Sequence, residues 1–181
     1  MKQPETNRFL LKEIVQEDID HIYKGLSDPK VTQFYAVHFP TLEATQEQMD
    51  WYEDLKKHGT GIWWGIWSKD REKFVGAGGF NGLEKDNRKA EIGLWLLPEF
   101  WGRGILREVM PCLFREGFEN LNLNRIEGFV DADNLKCRRA LEKINFSYEG
   151  TMRQVEFKKG KFLDVAIYSI LKDEFSLKSA H

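Results

Sequence analysis

The sequence is poor in the residues that announce a covalent or metal scaffold. Of 181 residues only Cys112 and Cys137 are cysteines, and they lack C-x-x-C spacing, which argues against a disulfide framework and a zinc-thiolate site. The four histidines, His21, His38, His58 and His181, show no metal-ligand spacing, so a solvated surface position is expected for each. No stretch approaches the ~18 apolar residues that span a bilayer, and the opening MKQPETNRF has no apolar h-region. An excess of either charge is missing too. Lys and Arg number 27 against 29 Asp and Glu, a net charge of −2, without the basic field that nucleic acid or a membrane surface would need. Neither nucleotide loop occurs: Arg107 stands three beyond Gly104 where G-x-G-x-x-G needs glycine, and G-x-x-x-x-G-K-[ST] is absent. These absences leave the expectation of a cytoplasmic protein with no nucleic-acid, membrane or metal partner; a homodimer stays open.

What is present is an ordinary globular composition, 41% hydrophobic, 13% aromatic and 31% charged, at a length suited to one domain over residues 1–181. Its organising stretch runs from Ala90 to Gly117, AEIGLWLLPEFWGRGILREVMPCLFREG. Ile92, Leu94 and Leu96 alternate with Glu91, Gly93 and Trp95 as in a strand, and Pro98 stops further ladder pairing. Leu106, Val109, Met110, Leu113, Gly117 and Phe118 recur at spacings of three and four, which predicts a helix starting near Gly104. Gly102 and Gly104 thus lead into a helix N-terminus, where orphan N–H groups, the positive end of the macrodipole and bare glycines make a cradle suited to phosphate. Pro111, about two turns in, predicts a bend near Arg107, because it lacks an N–H and its ring crowds the preceding turn.

The rest of the chain reads as strand Arg8–Ile14, helix Gln16–Leu26, an aromatic loop or irregular helix over VTQFYAVHFP, and a helix capped by Thr41, with Met49, Tyr52 and Leu55 inward and an end at His58-Gly59. GIWWGIW and KFVGAGGF form a hairpin leading to the central strand, and Gly76, Gly78 and Gly79 mark a bulge or a close approach. After the main helix come strand NRIEGFV, helix Asp133–Ile144, Asn145 as a left-handed cap, and a last hairpin, Phe146–Glu156 with Lys161–Leu171, turning at Lys159-Gly160. The order strand, two helices, three strands, helix, strand, helix, two strands predicts an α+β fold: a mainly antiparallel twisted sheet with flanking helices.

FWGRGIL resembles the pyrophosphate loop of the GNAT N-acetyltransferases, with Trp101, Gly104 and Leu106 at the pattern positions and the W-G-x-G form of the ribosomal-protein N-terminal acetyltransferase branch. DADNLKCRRALEKINF is similar to that branch's N-x-x-S-x-x-x-L-E-K-x-G-F motif at Asn134, Leu141, Glu142, Lys143 and Phe146, with Cys137 at the serine position. TMRQVEFKKGKFLDVAIYSILKDEF resembles the closing hairpin through Asp164 and Tyr168. The resemblance covers roughly Phe74 to Phe175. It implies the GNAT fold, acetyl-CoA as cofactor and direct transfer of acetyl to an amine in a ternary complex.

The resemblance places the pyrophosphate of coenzyme A on the loop Trp101, Gly102, Arg103, Gly104, Ile105, Leu106 and Arg107. It places pantetheine on Leu94, Trp95, Leu96 and Leu97, with one amide polarising the thioester. Glu91, at the start of the central strand beside Trp95, is the expected base, its pKa raised by desolvation; the tripeptide AEI is similar to that of histone acetyltransferases. A strand-end glutamate paired with Arg88 or Lys89 is the alternative. Asn134 either binds the cofactor or caps its helix, or both. Cys137 is a candidate acid for the leaving thiolate or a small buried residue, and Leu141 occupies the place where other members carry a tyrosine acid. Phe34, Tyr35, His38, Phe80 and Asn81, with Trp51, Trp63 and Trp64, are candidates for the acceptor side. The implied acceptor is a protein N-terminal α-amine such as that of a ribosomal protein; the alternatives are a small amine (polyamine, amino acid or aminoglycoside) and a non-catalytic acyl-CoA-binding module.

Overall fold

The computed structural model describes residues 3–33, 35, 37–70, 72–158 and 160–179. Seven strands, β1 (Phe9–Glu13), β2 (Ile62–Ser68), β3 (Phe74–Glu84), β4 (Lys89–Leu96), β5 (Arg125–Asp131), β6 (Ser147–Lys158) and β7 (Lys161–Leu171), join one sheet in the order β1-β2-β3-β4-β5-β7-β6. Every neighbouring pair is antiparallel except β4 with β5. Those two are parallel and paired only over Lys89–Glu91 against Arg125–Glu127, after which they part.

Helices cover both faces. On one side α1 (Ile19–Leu26, entered through a 3-10 turn at Gln16–Asp18), the short α2 (Pro29–Thr32) and α3 (Leu42–His58) pack on Trp63, Ala77 and Trp95. Thr41 caps α3 by accepting the Ala44 N–H at 3.1 Å, and Gly59 ends it at φ 66°, as the sequence signals require. Contact between α1 and the sheet is close because residue 25 has no side chain: a Cβ on Gly25 would lie 2.1 Å from the Trp95 ring.

The opposite face is covered by α4 (Ile105–Arg115), α5 (Leu135–Lys143) and α6 (Lys172–Ser179). Val109, Met110 and Leu113 of α4, from the stripe that the three-and-four spacing predicts, are buried with Phe114 against Trp64, Phe80 and Ile92. The helix runs unbroken through Pro111, and a π segment at Glu116–Asn120 follows it, where the Leu121 N–H reaches the Glu116 carbonyl at 2.9 Å. Phe175 of α6, an element the sequence reading left out, rests on Phe114 and Phe118.

Asn145 takes φ 71° as expected, and Gly160 turns the last hairpin at φ 78°. Lys159, like Phe34 and His181, lies outside the described residues. Of the paired alternatives for Gly76, Gly78 and Gly79, close approach holds: a Cβ on Gly79 would meet the Ile62 carbonyl at 2.3 Å. One register shift borders Gly76, where Ile66 faces Gly76 and Trp67 faces Phe74, and the other falls at Asn81/Glu84. The expectation of a solvated His21 fails, since its ring stacks on Phe74 and meets Trp67 edge-on, each at 5.0 Å.

Candidate active site

Where β4 and β5 separate, a cavity of about 840 Å³ opens between them. It passes through the sheet. Trp63, Asn81 and Glu91 line it from the α3 face, and Leu94, Gly128, Cys137 and Leu141 from the α4 face. Main-chain groups of a strand alternate in direction, and the Leu97 N–H donates to the Val75 carbonyl of the β3 side at 2.9 Å. Counting back from Leu97, Trp95 also addresses β3, while Ile92, Leu94 and Leu96 turn their amides toward the gap. The expectation of free amides along all four strand residues is corrected for two: Trp95 and Leu97 turn their amides to the sheet and bury their side chains at 3% and 2% exposure, though Trp95 still lines the cavity. Leu96 is half engaged already, its carbonyl accepting the Trp101 indole N–H at 2.8 Å.

At one end of the gap lies the glycine loop. Gly102 and Gly104 have φ of 73° and 72°, and a Cβ built on either meets nothing within 4 Å, so the bare backbone faces open space rather than protein. Gly104 is the N-cap of α4, and the amides of Ile105, Leu106 and Arg107 begin the helix without intrahelical acceptors. This arrangement fits an anionic phosphate group. Leu106 also lines the cavity, Arg107 is exposed, and Arg103 lays its guanidinium over Phe100, 5.6 Å from the ring centre. Residues absent from the sequence reading support the loop from behind. Glu108 in the first turn accepts from Thr6 Oγ1 at 2.7 Å and from Arg8 Nε at 2.6 Å, and Arg8 also donates to the Arg103 carbonyl at 3.3 Å. Arg8 thereby offsets a carboxylate that would otherwise repel an anion.

At the other end the charge changes sign. Glu47, Asp50 and Asp54 of α3, spaced to share one helix face, border the cavity together with Glu91 and Glu156. Glu91 bonds neither Arg88 nor Lys89. Its Oε2 accepts from Asn81 Nδ2 at 3.0 Å, and burial pushes its pKa above the ordinary carboxylate value, with Glu127 and Glu156 adding to the rise against the opposing Asn81 bond. Asn134 caps α5 by accepting the Cys137 N–H at 3.1 Å while lining the cavity. Burial lifts the Cys137 thiol to about 11, so it stays protonated at neutral pH. The end of α5 is fixed by a fully buried Tyr168, whose hydroxyl accepts from Arg138 Nε at 3.1 Å and donates to Glu142 at 3.2 Å.

Of the acceptor-side candidates, Tyr35 and Asn81 line the cavity along with Trp51 and Trp63. Phe80 does not: it is fully buried on the α4 face, edge-on to Trp64, because adjacent strand residues point to opposite faces and Asn81 takes the cleft side. His38 is also outside the lining; it is exposed, with Nδ1 3.3 Å from Thr32 Oγ1. Tyr52, Glu156 and the acidic face of α3 were missed by the sequence reading, although the i, i+3, i+7 spacing of Glu47, Asp50 and Asp54 was there to be seen.

Comparison with known proteins agrees with this geometry. Residues 8–147 match the model of the acetyltransferase (GNAT) domain. The chain is 34% identical over 169 residues to the uncharacterized N-acetyltransferase YoaA of Bacillus subtilis (strain 168), covering 93% of this chain and 96% of that protein. Among solved structures, spermidine N-acetyltransferase from Vibrio cholerae in complex with CoA and spermine superposes with a TM-score of 0.84 at 19% identity, over 93% of this chain and 98% of the other. RimL, a ribosomal L7/L12 alpha-N-protein acetyltransferase in complex with coenzyme A, gives a TM-score of 0.84 at 22% identity, over 94% and 98%. With the motif loop at a helix N-terminus, a sheet parted beside it and a family match across most of its length, the chain belongs to the GNAT acetyltransferases and is an acyltransferase.

Proposed function

We propose that the protein transfers acetyl from acetyl-CoA directly to a primary amine, and that its acceptor is a protein N-terminal α-amine such as that of a ribosomal protein. The observation that carries the reading is the polarity of the through-sheet cavity: phosphate-suited amides at Gly104–Arg107 on one side, and on the other a desolvated carboxylate, Glu91, three residues before Leu94 on the same strand. Acetyl-CoA supplies an activated acyl carbon. Leu94 and Leu96 hold its pantetheine arm by main-chain hydrogen bonds, and the Leu94 N–H polarises the thioester oxygen. Glu91 takes a proton from the incoming ammonium, directly or through water. Cys137, with its thiol near 11, serves as a hydrogen-bond donor to the departing sulfur; full proton donation to a thiolate of ordinary pKa, ~8.5, would be uphill. Asn134 holds α5 against the cofactor. The cytoplasm is the setting in which Cys112 and Cys137 remain reduced.

Support for a protein acceptor comes from β6. It is an edge strand of the sheet, and its Glu156 and Lys158 border the cavity, so an extended peptide has main chain to lie against. A second reading, a small polyamine, is favoured by the carboxylates Glu47, Asp50 and Asp54 on the same rim. Thiol release from acetyl-CoA with a panel of amines separates them. Turnover with N-terminal peptides and none with polyamines is expected; the reverse result replaces the first reading with the second, and tight CoA binding with no turnover on any amine leaves a binding module.

Arg8→Ala tests the loop support. Glu108, without its cationic partner but still accepting from Thr6, would stand beside the anion cradle, and at an effective dielectric near that of a protein surface one uncompensated charge is worth about a tenfold loss of affinity. KM for acetyl-CoA is therefore expected to rise about tenfold with kcat little changed, and Arg8→Lys to recover part of it. An unchanged KM would show that the loop does not depend on this pair.

A further inference from the structure

Glu91 stands at a place where both neighbouring strands give way. On one side, its rung with Glu127 is the last that joins β4 to β5. On the other, its rung with Asn81 is the last before β3 shifts register, with Gly82 at φ 58°, and irregularities of this kind re-aim side chains beside a site. Asn81 Nδ2 donates to Glu91 Oε2 at 3.0 Å, and among the described residues no other group donates to that carboxylate. An ionised carboxylate only accepts, so the amide has to present its nitrogen to Glu91, and Oδ1 is then turned to the other side of the carboxamide. No described residue donates to Oδ1. The buried side-chain atoms left without a partner are the Trp63 and Trp67 indole nitrogens, not this oxygen. Asn81 lines the cavity, so Oδ1 is an open acceptor next to the base.

We propose that Asn81 is a catalytic residue: Oδ1 accepts a hydrogen bond from the acceptor amine while Nδ2 holds Glu91 Oε2, which leaves Oε1 to take the proton. The assignment rests on the acetyl-transfer reading above, with Glu91 as base. An arriving primary ammonium has three N–H groups. One gives its proton to Oε1 and leaves its electron pair on nitrogen; a second stays on Oδ1. The freed pair has to swing from Glu91 to the carbonyl carbon, and the bond to Oδ1 is the pivot of that turn. As the C–N bond forms, the carbonyl electrons move onto oxygen, and nitrogen becomes positive beside the negative end of the amide dipole. When the C–S bond breaks those electrons return, and the surplus proton on nitrogen goes to the thiolate. One side chain thus fixes the base and its substrate together, where a misplacement of about 1 Å costs roughly 10²-fold in rate.

Asn81→Ala removes both arms, whereas Asn81→Asp keeps an acceptor oxygen and loses the donor. The measurement is kcat/KM for the acceptor amine against pH. In Asn81→Ala the plateau is expected to fall about 10²-fold with CoA affinity as in the native protein. Its acidic limb should move to higher pH, because the Asn81 bond opposes the rise that burial, Glu127 and Glu156 impose on Glu91. The other charges around the pair are the same in both variants: Glu47, Asp50 and Asp54 of α3, Lys158 of β6, and Lys89 and Arg125, which lie 3.7 and 2.7 Å from the Glu127 carboxylate. In Asn81→Asp the limb should move further the same way, and the plateau, reached once both carboxylates are ionised, should recover part of the loss. A native plateau in Asn81→Ala, or one in Asn81→Asp as low as in Asn81→Ala, would overturn the contact with the amine; an unmoved limb in both would overturn the hold on Glu91. Failure of the underlying reading looks different: the native protein is then inert toward every amine, or Glu91→Gln keeps the native rate and limb.

Discussion

Glu91→Gln is expected to lower kcat/KM at neutral pH by about 10²- to 10⁴-fold, the usual worth of a positioned general base. The sign of the pH dependence follows from the environment. Burial, Glu127 and Glu156 raise the pKa of Glu91 above 4.5 against the opposing Asn81 bond. The ionised form is the base, so native kcat/KM should climb as pH rises through that raised value and level off above it; in the variant this acidic limb should vanish. Stability should move the other way. A carboxylate whose folded pKa exceeds its unfolded one binds more protons when native, so its charge weakens the fold as pH rises from about 4.5 through the raised value. Removing the charge should leave the melting temperature at pH 7 unchanged or higher, which assigns the lost rate to chemistry. A variant with native rate and an intact limb would reduce Glu91 to a structural partner of Asn81.

Gly104→Val is expected to weaken CoA binding by at least about 100-fold, near 2.7 kcal/mol. Two effects combine. At φ 72° a β-branched residue pays roughly 1–2 kcal/mol in the left-handed region, and its methyls enter the space that phosphate would occupy against the α4 amides. Since a Cβ here meets no protein atom within 4 Å, a clash within the free protein plays no part. Gly82→Val supplies the control, because Gly82 has φ 58°, equally open surroundings and a place in β3 away from the loop. Calorimetry should show the same loss of stability in both and a loss of affinity only in the first. Native CoA affinity in both would move the anion site elsewhere.

The parts legible in the sequence are those whose signals are local. Thr41 and Gly59 marked the ends of α3, Asn145 the left-handed turn after α5, and alternation from Ile92 to Leu96 the central strand. The fold class followed from their order. Local signals also singled out Gly102 and Gly104, which lead into α4 with open surroundings, and Glu91, whose burial follows from its strand position. What failed was non-local. Phe80 and Asn81 were both assigned to the acceptor side, although strand parity admits only one; which one depends on which face α4 covers. The amides of Trp95 and Leu97 turn to β3 rather than to the gap, because the direction of a strand amide depends on the neighbour it pairs with. The Arg8–Glu108 support joins residues a hundred positions apart and has no local signature, and α6, with a weakly amphipathic sequence, takes its place from Phe175 packing on Phe114 and Phe118.

The three pairs that join β4 to β5 make the sheet an incomplete one, with interior rungs missing along half of two central strands. An acyl donor laid into that opening, as proposed above, would supply those rungs and act as a temporary piece of the architecture as well as a reactant. Mass action then ties the stability of the protein to its own substrate: at a hundredfold excess over Kd the gain is about 2.7 kcal/mol. A shortage of acyl donor would then be expected to lower the melting temperature along with the turnover.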